Sequence, residues 1–100
     1  MRTLLIGIDS GTQSTKALVV DAKNGKVLGA ASAVYDLIPN LPPGAKEQHP
    51  RDWIVATRKA IQGALKEAKA KAGEVVGIGV SGQQHGFVPL DKNGEVIRPA

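Results

Sequence analysis

Residues from Pro50 to about Lys71 carry one apolar stripe at helical spacing, and most of that stripe is alanine. Trp53, Ala56, Ala60, Ile61, Ala64, Leu65, Ala68 and Ala72 recur at steps of three, four and one, which is one face of a 3.6-period helix. A helix that buries alanine has little side-chain bulk to hold it off its neighbour, so it is expected to lie close against a sheet. Pro50 suits the first helical turn, and Asp52 faces the positive end of the helix dipole. His49 is a weak cap, and Gly73 is the expected stop. Lys59, Lys66, Lys69 and Lys71 fall mostly outside the stripe and read as a solvated face.

The partner sheet is legible on both sides of this helix. Leu4 to Ile8 is an apolar run of strand type, ended by Asp9-Ser10-Gly11-Thr12. Lys16 to Asp21 reads as a second strand, and Lys26 to about Val34, built of small residues, as a third. Asn24-Gly25 between them predicts a tight hairpin with positive φ at both central positions. Pro39 to Gly44 is a proline-rich loop. Val75 to Val80 is apolar throughout, so it is expected to be central and covered on both faces. Phe87 to Leu90 and Glu95 to Ile97 flank a second Asn-Gly pair and read as a terminal β-hairpin. The segments 20–27 and 90–96 look alike through shared turn chemistry.

The helix must carry the chain across to a strand beside the first, a connection with a strongly preferred right hand. The expectation is an α/β fold: a mixed sheet made of a three-strand meander, a crossover helix and a fourth strand, plus the terminal hairpin. Nothing in these 100 residues covers the second sheet face, and Arg98-Pro99-Ala100 ends the sequence without a further helix. An incomplete domain is therefore expected.

Composition excludes several classes. There is no cysteine, hence no disulfide framework and no thiolate metal or redox site. His49 and His85, with no matching carboxylate spacing, do not fill a structural zinc site. Ser10, Ser14 and Ser81 lack the glycine setting of a nucleophile elbow. A net charge of +4 favours anionic ligands without pointing to nucleic acid. The apolar start is too short for a signal peptide, and no run is long enough to span a membrane, so a soluble cytoplasmic protein is expected.

The chemistry concentrates in two stretches. Asp9-Ser10-Gly11-Thr12-Gln13-Ser14-Thr15-Lys16 joins two strands, with a glycine that permits an anion nest, several hydroxyls and a lysine suited to phosphate. A carboxylate at the end of a buried strand is costly unless it has work such as holding hydrated Mg²⁺. The glycine spacing is not that of a Walker loop, and the same residues also suit an ordinary polar turn capped by Asp9. Gln83-Gln84-His85-Gly86 follows an apolar strand at the edge where open sheets gather ligands. Its amides and imidazole suit a polyhydroxylated ligand, or simply a hydrogen-bonded loop. Glu47-Gln48 either reaches a ligand or closes the loop before the helix. Trp53 reads as packing.

Taken together, these stretches resemble the N-terminal part of the FGGY carbohydrate kinases, in the actin-like ATPase and ribonuclease H-like superfamily. Gly7 to Lys16 is similar to that family's first phosphate motif. Glu47-Gln48-His49-Pro50-Arg51-Asp52-Trp53 resembles its Glu-Gln-x-Pro-x-x-Trp segment. Gly79 to Gly86 resembles the loop of its D-xylulose kinase branch, with Gln84 where many relatives carry Met. Glycerol kinases carry Arg-Glu where this chain has Gln84-His85. The resemblance implies an ATP- and Mg²⁺-dependent phosphorylation of D-xylulose by the full-length protein, with Gln84 leaving room for another ketose or polyol and a non-catalytic sugar- or phosphate-binding fragment as the alternative. Asp9 would organise Mg²⁺ and act at the catalytic centre. Gly11, Thr12, Gln13, Ser14 and Lys16 would contact ATP phosphates, and Gln83, Gln84 and His85 the ketose. It also implies that residues 1–100 are the start of the first of two domains. The catalytic base and the adenosine-binding domain would lie beyond, and the isolated segment would be inactive. Small-molecule partners are expected, without nucleic acid or membrane, and with room for a homodimer of the full-length protein. A sugar-indifferent ATPase shares the Asp-x-Gly-Thr turn but has no use for the Gln83 to Gly86 loop. A ribonuclease H-like nuclease needs more carboxylates at the sheet edge than Asp9 alone.

Overall fold

The computed structural model describes residues 2–83 and 86–100 of the chain. Strands β1 (Leu4–Ser10), β2 (Ser14–Asp21) and β3 (Val27–Val34) precede helix α1 (Pro50–Ala68), and strand β4 (Val75–Gly82) follows it. The sheet order is β3-β2-β1-β4, antiparallel along the meander and parallel between β1 and β4. The meander and the crossover therefore stand as the sequence predicts. No helix among the described residues is long and apolar enough to cross a membrane.

The core lies between one sheet face and α1. Leu4, Ile6 and Ile8 of β1 alternate inward beside Ala17 and Val19 of β2, and meet Ala60, Ala64 and Ala68 of the helix. Burying each large aliphatic contributes about 1.5–3 kcal/mol, so β1 supplies much of the stability of this layer. The alanines set the spacing: Gly29 of β3 sits so close to α1 that a Cβ there would lie 2.2 Å from the Ala64 carbonyl oxygen. A Cβ on Gly63 would lie 2.7 Å from the Ala31 methyl. The close approach expected from the alanine stripe is thus completed by a glycine on each side.

The helix stops earlier than expected. It ends at Ala68, where Lys69 turns left-handed at φ 52°, and not at Gly73. The Ala70 N–H reaches back to the Leu65 carbonyl at 3.0 Å. The Arg2 guanidinium then donates to the Ala68 and Lys69 carbonyls at 3.4 and 3.1 Å. These are orphan acceptors of the last turn, and a charged donor from the far end of the chain satisfies them. Gly73 instead falls inside a short 3₁₀ turn, Ala72–Glu74.

The same arginine grips Glu74. Arg2 Nε meets Glu74 Oε2 at 3.1 Å and Arg2 Nη2 meets Oε1 at 3.2 Å, a two-point fork, while the Lys71 N–H donates to Oε1 at 2.9 Å. The hydrogen bond from Arg2, followed by that from the Lys71 backbone, holds the Glu74 carboxyl at about 2, far below its ordinary 4.5. A carboxyl depressed on folding stabilises fully above its unfolded value, and that stabilisation is lost as pH falls toward the folded one. The stability advantage of wild type over Glu74→Gln should therefore be full at neutral pH. It should shrink from about pH 4.5 and vanish near pH 2, as read by urea midpoints of the full-length protein across that range. An advantage constant from neutral pH to pH 2 would contradict it.

Three further expectations need correction. Strand β4 is the edge of this four-stranded sheet, not a central strand. Ile78 and Val80 pair with Ile6 and Ile8 and so share the helix-side face, yet they are 59% and 69% exposed, because α1 lies over β3 and β2. An apolar run records that a strand is meant for cover; it does not say which residues supply it. The 22–25 turn has positive φ only at Gly25. Asp21 Oδ1 accepts from the Lys23 N–H at 2.8 Å and the Asp21 carbonyl from the Gly25 N–H at 2.8 Å, which spreads the reversal over a longer turn. The terminal hairpin reduces to one bridge between Leu90 and Val96, since Pro89 has no N–H to extend it. Its turn repeats the first one's chemistry, with Asp91 Oδ1 accepting from the Asn93 and Glu95 N–H groups and Gly94 at positive φ.

Candidate functional site

The polar stretch between the first two strands is shorter than its sequence suggests. β1 and β2 stay paired through Asp9↔Lys16 and Ser10↔Thr15, which leaves only residues 11–13 as the connection. Period-two alternation then decides where each side chain goes. Ile8 and Ala17 face the helix, so Asp9 and Lys16 stand side by side on the opposite face. Asp9 is exposed, which corrects the expectation of a buried carboxylate. Among the described residues its carboxylate makes no hydrogen bond, so it does not cap the turn.

The turn is held by its carbonyl oxygens. The Gly11 N–H donates to the Ser14 carbonyl at 2.9 Å, closing the reversal. The Tyr35 hydroxyl, from a residue only 7% exposed, donates to the Gly11 carbonyl and lies 3.1 Å from the Ser14 carbonyl. The Tyr35 N–H takes the Gln13 carbonyl at 3.0 Å. Gln48 Nε2 takes the Thr12 carbonyl at 2.7 Å. Gln83 Nε2 adds a second bond to the Gly11 carbonyl at 3.0 Å. A trans peptide points its N–H opposite to its C=O. Pinning the Gly11 and Thr12 carbonyls therefore turns the Thr12 and Gln13 N–H groups outward, and neither has a backbone acceptor among the described residues. Outward amides flanked by the Thr12 hydroxyl are what an anion needs.

Because β4 runs parallel to β1, both strands end at the same sheet edge, with Asp9 beside Ser81 and Ser10 beside Gly82. Gln83 emerges there, next to the 11–13 turn. Trp53, in the first turns of α1, donates its indole N–H to Gln48 Oε1 at 3.0 Å, and Gln83 Nε2 reaches the same oxygen at 3.1 Å. Residues 98–100 clamp the segment from outside: Arg98 Nη2 pairs with Glu47 Oε1 at 2.6 Å, and Gln48 and Ala100 exchange backbone bonds at 2.8 and 2.9 Å. A cavity of about 940 Å³ opens between these parts, lined on its polar side by Thr12, Gln13, Gln48 and Gln83 and on its apolar side by Trp53 and Phe87.

Of the residues singled out from the sequence, Gly11, Thr12, Gln13, Ser14 and Gln83 come together around one turn. Asp9 and Lys16 adjoin it on the far sheet face. Gln84 and His85 lie outside the described residues. Gln48 closes the loop, one of the two readings its sequence allowed. Tyr35 was not singled out. Its one signal was a lone large aromatic placed after a strand of small residues. Among the described residues no group of three or more acidic or histidine side chains gathers. A metal at this site would rest on Asp9 and on ligand oxygens.

A model of the FGGY family of carbohydrate kinases, N-terminal domain, matches residues 4–100. The chain is 50% identical over 94 residues to the xylulose kinase of Haemophilus influenzae, covering 90% of this chain and 19% of that protein. A crystal structure of a xylulose kinase from Brucella ovis is 39% identical and superposes with a TM-score of 0.82, over 96% of this chain and 20% of that one. The gluconate kinase of Lactobacillus acidophilus is 27% identical with a TM-score of 0.87, over 99% and 19%. The chain thus spans about a fifth of the length of these relatives. The mixed sheet with its crossover helix is the actin-like fold of such kinases, present in part. The paired strands, the braced turn and the Gln83 edge all fall within the matched residues, and the chain belongs to the FGGY family of carbohydrate kinases, in its N-terminal domain.

Proposed function

We propose that the full-length protein transfers the γ-phosphoryl group of ATP to D-xylulose, giving D-xylulose 5-phosphate and ADP. The observation that supports this reading is the bond from Gln83 Nε2 to the Gly11 carbonyl, which joins Gln83 to a turn whose Thr12 and Gln13 N–H groups lack backbone acceptors among the described residues. The Thr12 and Gln13 N–H groups and Lys16 suit the phosphate chain, and the polar wall of the cavity suits a sugar's hydroxyls. Gln84 and His85 contact the ketose in this reading. Asp9, an exposed carboxylate with no hydrogen-bond partner among the described residues, fits a hydrated Mg²⁺, which takes one or two carboxylates, substrate phosphates and water. When bound, Mg²⁺ supplies charge neutralisation on the phosphoryl oxygens.

In the transfer, the terminal hydroxyl oxygen of the ketose forms a bond to the γ-phosphorus while the bridging P–O bond to ADP breaks. The hydroxyl proton leaves to a base outside these 100 residues. The residues described here bind and align; they do not take that proton. Residues 1–100 are, on this reading, the start of the first of two domains and are inactive alone.

The test is ADP release by the full-length protein with D-xylulose, gluconate and glycerol compared at equal concentration. Turnover with D-xylulose exceeding the others by at least about tenfold is expected, since a site built to hydrogen-bond one polyol discriminates through its unpaired groups. Equal release without any sugar would favour a sugar-indifferent ATPase.

A further inference from the structure

Among the described residues, the Gln48 side chain bonds to three parts of this site. It is 5% exposed, and both polar atoms of its amide are engaged: Nε2 donates to the Thr12 carbonyl at 2.7 Å, while Oε1 accepts from Trp53 Nε1 at 3.0 Å and Gln83 Nε2 at 3.1 Å. Three segments distant in sequence therefore meet on one amide: the 11–13 turn, the start of α1 and the end of β4. A buried amide bonded at both polar atoms is held in one orientation, and losing one of those partners is costly. Through the planar peptide, the grip on the Thr12 carbonyl sets where the Gln13 N–H points.

We propose that Gln48 is a positioning residue for phosphoryl transfer, its amide locking the 11–13 turn to the Gln83 loop so that donor and acceptor sites stay in register. The proposal rests on the kinase reading above. Gln48 lines the cavity, but its amide bonds go to protein groups, so it acts through the Thr12 carbonyl and Gln83. Only a group that is donor and acceptor at once can hold both. Glutamate keeps the shape and the acceptor and loses the donor when ionised. Methionine keeps the length and loses both.

The experiment is steady-state kinetics of full-length Gln48→Met and Gln48→Glu against wild type. For Gln48→Met, kcat/KM for ATP is expected to fall by about 10²-fold, the scale set by small misplacements of a reacting group. The KM for the ketose should rise by a smaller factor, because Gln83 loses its bond to residue 48 and keeps the one to the Gly11 carbonyl. For Gln48→Glu the deficit should be as large near pH 8 and shrink at least about tenfold by pH 6, as burial raises the introduced carboxyl and its proton restores the donor to Thr12. Tyr35, Asp36, Lys46, Glu47 and Arg98 line the same cavity as Gln48, and His49 is next in sequence, so each rate is divided by that of wild type at the same pH. A merely space-filling role would give no such recovery. If Gln48→Met does not fold, the pH profile of Gln48→Glu decides alone. Activity of Gln48→Met within about threefold of wild type, or a Gln48→Glu deficit that ignores pH, overturns the proposal. If wild type shows no sugar-dependent turnover, the kinase reading fails by itself. The proposal is then read by calorimetry with ADP, where Gln48→Met should bind about tenfold more weakly and unchanged binding overturns it.

Discussion

Asp9→Asn in the full-length protein is expected to lower kcat by about 10²–10³-fold while leaving the fold intact. The magnitude follows from losing one charged group that organises neutralisation of the transferring phosphoryl oxygens. The fold should survive because Asp9 is exposed on the sheet face away from α1 and makes no hydrogen bond among the described residues. Asparagine keeps the shape and removes the charge, so the loss reports chemistry and not packing. Raising Mg²⁺ should recover part of the activity, since a neutral amide oxygen still binds the ion weakly. Kinetics across a Mg²⁺ titration, with circular dichroism as the control, reads both. An Asp9→Asn enzyme with wild-type kcat would remove Asp9 from the catalytic centre.

The largest effect on stability is expected far from the site, at Gly29→Val. Valine is the better strand former, so propensity alone would favour the change. The structure opposes it: the new Cβ would sit 2.2 Å from the Ala64 carbonyl oxygen and 2.8 Å from the Ala68 backbone nitrogen, and neither can rotate away. Strand and helix must separate by an ångström or more, which costs about 3 kcal/mol or more once the core contacts are lost. Gly79→Val is the matched control. It lies in β4 with nothing within 4 Å of its would-be Cβ, and it should change stability by less than about 1 kcal/mol. Urea denaturation of the two variants should separate them clearly, and equal midpoints would contradict the packing account.

The order of elements was legible because each rests on a local signal. The alternation of Leu4, Ile6 and Ile8, the 3.6-period of the alanines and the glycines of the two turns all lie within a few residues of what they determine. The helix end was not legible, because it depends on Arg2, whose guanidinium arrives from the other end of the chain. The exposure of Asp9 was misread for a similar reason. It follows an apolar run, but pairing with Lys16 puts it one step out of phase with the buried set. At the site, Gly11, Thr12 and Gln83 were legible as residue types suited to phosphate and sugar. Tyr35 and Gln48 were harder to read because their work is done on backbone carbonyls, and carbonyls leave no trace in a sequence.

Strand β1 is bordered by neighbours of very different origin. β2 follows it after a turn of residues 11–13, whereas β4 returns only after a long excursion through β3, the proline-rich loop and α1. Closing the first pair orders almost no chain, and closing the second orders most of it. Amide hydrogen exchange should therefore run slowest across β1 and β2 and faster along the outer edge of β4. The 11–13 turn hangs from the slow half and the Gln83 loop from the fast half. The bonds of Gln83 to the Gly11 carbonyl and to Gln48 are then what hold the later-formed wall against the one already set.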